Sequence, residues 1–170
     1  MIRHAEEKDI AGILEIYNEA IAHTTAVYYY FPLTLEEKTE WYRNIISAGF
    51  PVLVCDMEGK VAGYASFGVY RDKPGYKYTV ENSVFVHPDF RRKGVGQSLM
   101  KVLIVEAEKM EMAVMVSCID AENRESILLH EKLGFTFSGV IHRAGFKFGR
   151  YLDAAFYQLN LKGPEHPVEG

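Results

Sequence analysis

Residues 79–97, TVENSVFVHPDFRRKGVGQ, constrain this chain more than any other stretch. Thr79, Val80, Val84, Phe85 and Val86 read as a buried strand, because β-branched and aromatic residues fit a pleated, half-buried surface. His87-Pro88-Asp89 ends it, since proline cannot donate to a sheet ladder. A glycine-punctuated basic loop follows, Arg91-Arg92-Lys93-Gly94-Val95-Gly96, and then helical spacing begins at Val95, Leu99, Val102, Leu103, Ala107 and Met110. The next apolar run, Ala113–Ile119, is again a strand. A strand, a crossover helix and a second strand require parallel neighbours, with a crevice outside their C-terminal ends.

The rest of the chain supplies layers for such a sheet. Residues 2–5 suit a short edge strand, and Ile10, Ile13, Leu14, Tyr17 and Ile21 predict a first helix near 7–21. Thr34-Leu35-Glu36-Glu37 is a capping box opening a second helix, with Leu35, Tyr42, Ile45 and Ile46 as its apolar positions. Val52–Asp56 and Lys60–Tyr70 form a hairpin across Met57-Glu58-Gly59. Asn123 caps a fourth helix carrying Ile127, Leu128 and Leu133 inward, and Gly134 with Phe135 closes it. Two strands near 136–147 and 152–161 complete the order β-α-α-β-β-β-α-β-α-β-β, a mixed α/β (α+β) sheet with helices on both faces. We expect one domain over residues 1–162 and a frayed polar tail at 163–170.

Charge and cysteine usage exclude several roles. The net charge of -4 argues against a general nucleic-acid binder. No apolar run reaches the length of a membrane helix, so no membrane partner and a cytoplasmic location are expected. Cys55 and Cys118 match no metal or redox spacing, so we expect no metal and two buried thiols acting as small hydrophobes.

Two features carry chemistry. The amides of a helix start are unpaired and partly positive. Gly94 and Gly96 let the backbone approach an anion, and Arg91, Arg92 and Lys93 add attraction, so the loop suits a pyrophosphate. It is neither a Walker A loop nor GxGxxG. The second feature is Glu81, an acid inside an apolar strand. Burial would raise its pKa into the range useful to a base; the plainer alternative is an ion pair with Arg71, Lys73 or Arg143. The segment His23–Pro32 is too aromatic for a plain solvent loop. It packs on the core or a partner subunit, or walls a pocket.

Arg91-x-x-Gly94-x-Gly96 resembles the [QR]-x-x-G-x-[GA] loop of the GNAT acyl-CoA N-acyltransferases. Asn123 with His130-Glu131-Lys132-Leu133-Gly134-Phe135 is similar to that superfamily's second signature, and the element order matches along nearly the whole chain. Thr79-Val80-Glu81-x-Ser83-Val84-x-Val86, Leu129-His130-Glu131 and Ala144-Gly145-x-Lys147-x-Gly149 narrow the resemblance to the phosphinothricin and methionine sulfoximine acetyltransferase branch.

That resemblance implies a mostly antiparallel seven-stranded sheet splayed at its central parallel pair. It implies acetyl-CoA as co-substrate, a small amino acid or analogue as the amine acceptor, and a homodimer. Val84, Phe85 and Val86 would hold the pantetheine and thioester. Arg91, Arg92, Lys93, Gly94, Val95, Gly96 and Gln97 would hold the pyrophosphate, with Asn123 and Ser126 further along. Glu81 or His130 would take the amine's proton, and the residues do not decide which. An acceptor carboxylate needs a cation, and Arg71 and Lys73 are the candidates, with Asn82 and Ser83 beside Glu81. Thr25, Tyr28 and Phe31 would line the side-chain pocket, while Lys147 and Tyr151 would reach a neighbouring subunit. Tyr151 stands where the branch usually has tryptophan, which alters the pocket's shape. Two rivals are acetylation of a protein N-terminus or lysine, and a non-catalytic acyl-CoA-binding module.

Overall fold

Local signals in the chain set most element boundaries in the computed structural model, which describes residues 1–169. Strand β1 (Ile2–His4) precedes a single 3-10 turn, Glu7–Asp9, and helix α1 (Ile10–His23). Helix α2 (Leu35–Ser47) starts at the capping box: Glu37 N donates to Thr34 Oγ1 at 3.2 Å, and Thr34 N donates to Glu37 Oε2 at 2.7 Å. Strands β2 (Val52–Met57) and β3 (Lys60–Val69) are joined by Glu58 and Gly59, at φ 55° and 78°. Positive φ at both positions is the turn that matches the twist of paired strands. Strand β4 (Thr79–Val86), helix α3 (Val95–Lys109) and strand β5 (Val114–Asp120) follow. Helix α4 (Arg124–Lys132), strand β6 (Thr136–Lys147) and strand β7 (Arg150–Asn160) close the chain.

The seven strands form one sheet in the order β1-β2-β3-β4-β5-β7-β6. Its ladders are antiparallel except β4 with β5, the expected parallel pair. That pair registers Thr79 with Val114, Val80 with Met115 and Glu81 with Val116. The paired register closes at Glu81, although β5 runs on to Asp120.

Two compact units make up the chain. Residues 1–66 with 84–103 form the first. Its core is Ile10, Ile13 and Ile16 of α1, Tyr42 of α2, Val52 and Val54 of β2, and Tyr64 of β3. Residues 67–83 with those from 104 onward form the second, in which β5 and β7 pair over seven residues, from Val114–Asn160 to Asp120–Ala154.

Three expectations about burial are corrected. Cys118 is exposed, not buried. The run 113–119 is apolar on both faces, but only the face of Met115, Ser117 and Ile119 is packed. Leu35 and Ile46 of α2 are exposed, because Lys38 and Tyr42 take the inward positions. Leu128 of α4 is exposed as well, one position off the stripe of Ile127 and His130. In the tail, Val168 N donates to Tyr78 Oη at 3.1 Å.

Candidate active site

Strand β4 sorts its side chains by alternation. Val80 and Asn82 are buried on one face, and Thr79, Glu81 and Ser83 occupy the other, where Glu81 is half-buried and Ser83 exposed. Burial raises the Glu81 carboxyl above its ordinary value, and the Arg71 guanidinium works against that rise. Of Arg71, Lys73 and Arg143, Arg71 is therefore the cation that Glu81 feels. Arg71 itself is exposed and lies over the Tyr70 ring, 4.9 Å from its centroid. Lys73 is exposed on the same loop.

Cys118 lies two residues past Glu81's strand partner Val116. Although the residue is exposed overall, its surroundings and the charge of Glu81 push the thiol up to about 11. A thiol held protonated is a poor nucleophile.

Behind β4 lies a buried polar chain. Ser117 Oγ donates to Asn82 Oδ1 at 2.6 Å. Asn82 Nδ2 is 3.3 Å from His130 Nε2, and His130 Nδ1 is 2.7 Å from the Ser126 carbonyl oxygen. A carbonyl only accepts, so Nδ1 carries the hydrogen and Nε2 accepts from the Asn82 amide. Burial lowers the His130 pKa, and the residue is 2% exposed. Its one lone pair is thus engaged by an amide that donates.

The structure gives two of the expected site residues these surroundings. His130 is a buried imidazole with both nitrogens within hydrogen-bond distance of a partner, Nε2 of the Asn82 amide and Nδ1 of the Ser126 carbonyl. Asn82 lies on the strand face opposite Glu81, in the Ser117–His130 chain.

Helix α4 aims the histidine. Asn123 Oδ1 accepts from Ser126 N at 3.1 Å, which caps the helix. Ser126 then stands one turn before His130. Asn123 and Ser126, both expected along the cofactor, are half-buried and engaged in this capping and aiming. At the helix end Gly134 takes φ 93°, Phe135 N donates to the His130 carbonyl at 3.1 Å, and the Phe135 ring meets the His130 ring edge-on at 5.0 Å.

The second half of β4 belongs to the other unit. Val84, Phe85 and Val86 are half-buried. A Cβ on Gly63 of β3 would stand 2.9 Å from the Phe85 carbonyl oxygen and 2.9 Å from Val95 Cγ1. Glycine there lets the backbones come together.

The basic loop turns through Arg92 at φ 61° and Gly94 at φ 78°. The first helical bond of α3 runs from Ser98 N to Gly94 O at 3.0 Å. The amides of Val95, Gly96 and Gln97 therefore precede the helical ladder and have no intrahelical acceptor. Arg92, Lys93 and Gly94 are exposed; Arg91 is paired with Glu19 of α1 at 3.2 Å. Of the predicted pocket aromatics, Tyr28 and Phe31 are exposed, Thr25 is half-buried, and neighbouring Val27 is the residue that packs inward.

Sequence reasoning missed Ser117, a serine inside an apolar run, and Lys38, which reads as a solvated helix lysine but is 2% exposed. The spacing Lys38-x-x-Trp41 was the one available signal for the latter. Among the described residues no group of three or more His, Cys, Asp or Glu side chains could hold a metal ion. No helix among the described residues is long and apolar enough to cross a membrane.

The model of the acetyltransferase (GNAT) family matches residues 12–135. The chain is 45% identical over 160 residues to L-methionine sulfoximine/L-methionine sulfone acetyltransferase of Salmonella typhimurium, covering 94% of each chain. It is 33% identical to phosphinothricin N-acetyltransferase of Alcaligenes faecalis, covering 94% of this chain and 82% of that one. Among solved structures, Salmonella typhimurium yncA, a putative acetyltransferase with its cofactor acetyl-CoA, superposes at a TM-score of 0.96 with 43% identity, over 99% and 97% of the two chains. A ribosomal-protein-alanine N-acetyltransferase from Brucella melitensis gives a TM-score of 0.94 with 41% identity, over 95% and 99%.

Proposed function

The chain belongs to the acetyltransferase (GNAT) family, and from that premise we propose that it moves the acetyl group of acetyl-CoA onto the amino group of a small amino acid or analogue. Acceptors of the methionine sulfoximine, methionine sulfone or phosphinothricin type are the first choice. The observation that carries this reading is the 45% identity, across 94% of both chains, to an enzyme named for that chemistry.

The residues divide the work between base, donor cradle and acceptor contacts. An ammonium must lose a proton before it can attack. Glu81, half-buried with a raised pKa, takes that proton directly or through a water. His130 is a positioning residue: with Ser117 it fixes Asn82 and so the strand that carries Glu81. Backbone amides of Val84, Phe85 and Val86 hold the thioester arm and stabilise the oxyanion as the amine adds to the carbonyl carbon and the thiolate leaves. The free amides of Val95, Gly96 and Gln97 receive the pyrophosphate, with Arg92, Lys93 and Gly94 at the loop. Arg91 holds that loop to α1 through Glu19. Asn123 and Ser126 act through the α4 start.

Arg71, the cation nearest to Glu81 in electrostatic effect, receives the acceptor's carboxylate, with Lys73 and Ser83 as further contacts. Thr25, Tyr28 and Phe31 are proposed contacts for its side chain. Attack within a ternary complex suits a chain whose thiol beside Glu81 is held protonated.

We further propose that residues 1–162 act as one catalytic domain and that two copies pair. The exposed apolar side chains of Phe137 and Ile141 on β6, Phe148 in the turn and Tyr151 on β7 support pairing. A cytoplasmic location suits an enzyme that draws on acetyl-CoA.

A thiol-release assay with acetyl-CoA over free amino acids, methionine sulfoximine, methionine sulfone and phosphinothricin tests the reading. Release that depends on one of these amines supports it; silence with all of them overturns it. One observation favours a second reading. The Brucella melitensis structure, 41% identical, is named for a ribosomal protein's alanine, so a peptide with an N-terminal alanine belongs in the same panel.

A further inference from the structure

The first unit holds a cation where a core rarely keeps one. Lys38 of α2 is 2% exposed. Its Nζ lies 3.7 Å from the Trp41 ring centroid and 3.8 Å from that of Tyr17, with the Tyr64 ring at 5.3 Å. The Tyr64 hydroxyl is 3.4 Å away. Its partners are three rings and one phenol, with no carboxylate among them. Ring faces attract a cation, yet removing an ammonium from water without a carboxylate is costly. A methionine would fill nearly the same space without that cost.

The rings that hold the ammonium also hold Phe85. The Phe85 ring stacks on Tyr64 at 5.4 Å and 26°, and meets Tyr17 edge-on at 5.4 Å and 83°. Phe85 lies in the half of β4 proposed above to hold the thioester arm, and this inference rests on that reading.

We propose that Lys38 is a positioning residue for the acyl donor. Its ammonium draws the faces of Tyr17 and Tyr64 inward, and those rings fix Phe85 and the backbone of 84–86 in the shape that receives the thioester. The groups facing it are Tyr17 from α1, Trp41 from α2, Tyr64 from β3 and, behind the rings, Phe85 from β4. Burial pushes the Tyr17 phenol up to about 12 and raises Tyr64 too, so neither supplies an anion near neutral pH. Burial also pulls Lys38 down to about 7, while the ring faces favour its charged form. The proton is therefore lost at or above that pH, and the hold on Phe85 weakens as pH rises through the transition.

Calorimetry of acetyl-CoA binding, without any acceptor, tests this between about pH 6 and about pH 9, the range in which the perturbed lysine titrates. Wild-type affinity should fall by about threefold to thirtyfold across the transition, the range of coupling that positioning residues exert. Lys38→Met should bind weakly and equally at every pH while its Tm holds or rises, because a buried charge is gone. Lys38→Arg, charged throughout, should restore tight binding without the pH dependence. A structural role alone predicts that affinity and Tm fall together in Lys38→Met. Wild-type affinity and pH dependence in Lys38→Met would overturn the proposal, whether or not Lys38→Arg folds. A wild-type protein that binds no acetyl-CoA at any pH would instead overturn the reading on which the proposal rests.

Discussion

Asn82 Nδ2 stands 3.3 Å from His130 Nε2, and that contact separates the two residues that could take the acceptor's proton. The imidazole lone pair is already met by an amide hydrogen, and an amide cannot pass a proton onward as a carboxylate or water can. Glu81, one residue earlier on β4, faces the opposite side of the sheet. The strand thus puts the proposed base on one face and its proposed support on the other.

Glu81→Gln should lower kcat by about 100- to 10,000-fold, the usual contribution of a positioned base. The acetyl-CoA Kd should stay unchanged, since no donor contact is assigned to this side chain. In the wild type, kcat/KM should rise with pH through a transition above the ordinary carboxyl value of 4.5, because burial raises the group. Glu81→Gln should lack that limb. Steady-state kinetics across pH decides it, and full activity in the variant would remove Glu81 from the mechanism.

His130→Gln should leave a different signature. Burial lowers the histidine's pKa below its ordinary 6.5. Between that value and the lower folded one, the unfolded chain holds more protons than the native chain. Stability contributed by the neutral imidazole is therefore present above 6.5 and is lost as pH falls toward the folded value. Urea unfolding should show wild-type stability dropping across this window more steeply than that of His130→Gln. Equal slopes would mean that His130 is not held neutral.

The capping box, the glycine stop and the basic loop were legible in the sequence because each is a local pattern: Thr34 and Glu37 are three residues apart, and Gly134 ends the helix that it follows. Glu81 was legible because an acid in an apolar strand is conspicuous. Asn82, Ser117 and His130 were harder to read because the chain they form joins three elements 35 and 48 residues apart in sequence. Lys38 was hidden for a related reason. Its cage comes from Tyr17, Trp41 and Tyr64, on three elements, and nothing in residues 35–47 alone announces a buried cation.

Ser117→Ala tests the far end of the polar chain. Asn82 Oδ1 would lose its 2.6 Å hydrogen bond in a buried setting. Removing one intramolecular hydrogen bond costs about 0.5–1.5 kcal/mol, and chemical denaturation should show a loss of that size. Because Ser117 and His130 are proposed to fix the half of β4 that carries Glu81 and not the half at 84–86, the loss in kcat should exceed the change in acetyl-CoA Kd. A variant as stable and as active as the wild type would show that the chain fixes nothing.

Gly63→Ala probes the donor half of the same strand. A methyl group there would meet the Phe85 carbonyl oxygen and Val95 Cγ1, each at 2.9 Å, and Leu99 Cδ1 at 3.2 Å. Two of these neighbours carry proposed duties: Phe85 in the thioester arm's cradle and Val95 at the start of α3. Gly68, in the same strand, has nothing within 4 Å of the place a Cβ would take, and serves as the control. Overpacking of this kind costs about 1–3 kcal/mol, so Gly63→Ala should lower the unfolding midpoint where Gly68→Ala leaves it within about 0.5 kcal/mol, apart from the small gain of replacing a strand glycine. Because the backbone of 84–86 must move to relieve the contact, acetyl-CoA Kd should rise in Gly63→Ala at temperatures where the variant is fully folded. If affinity is untouched there while stability falls, Gly63 serves packing alone, and residues 84–86 do not hold the thioester arm as proposed.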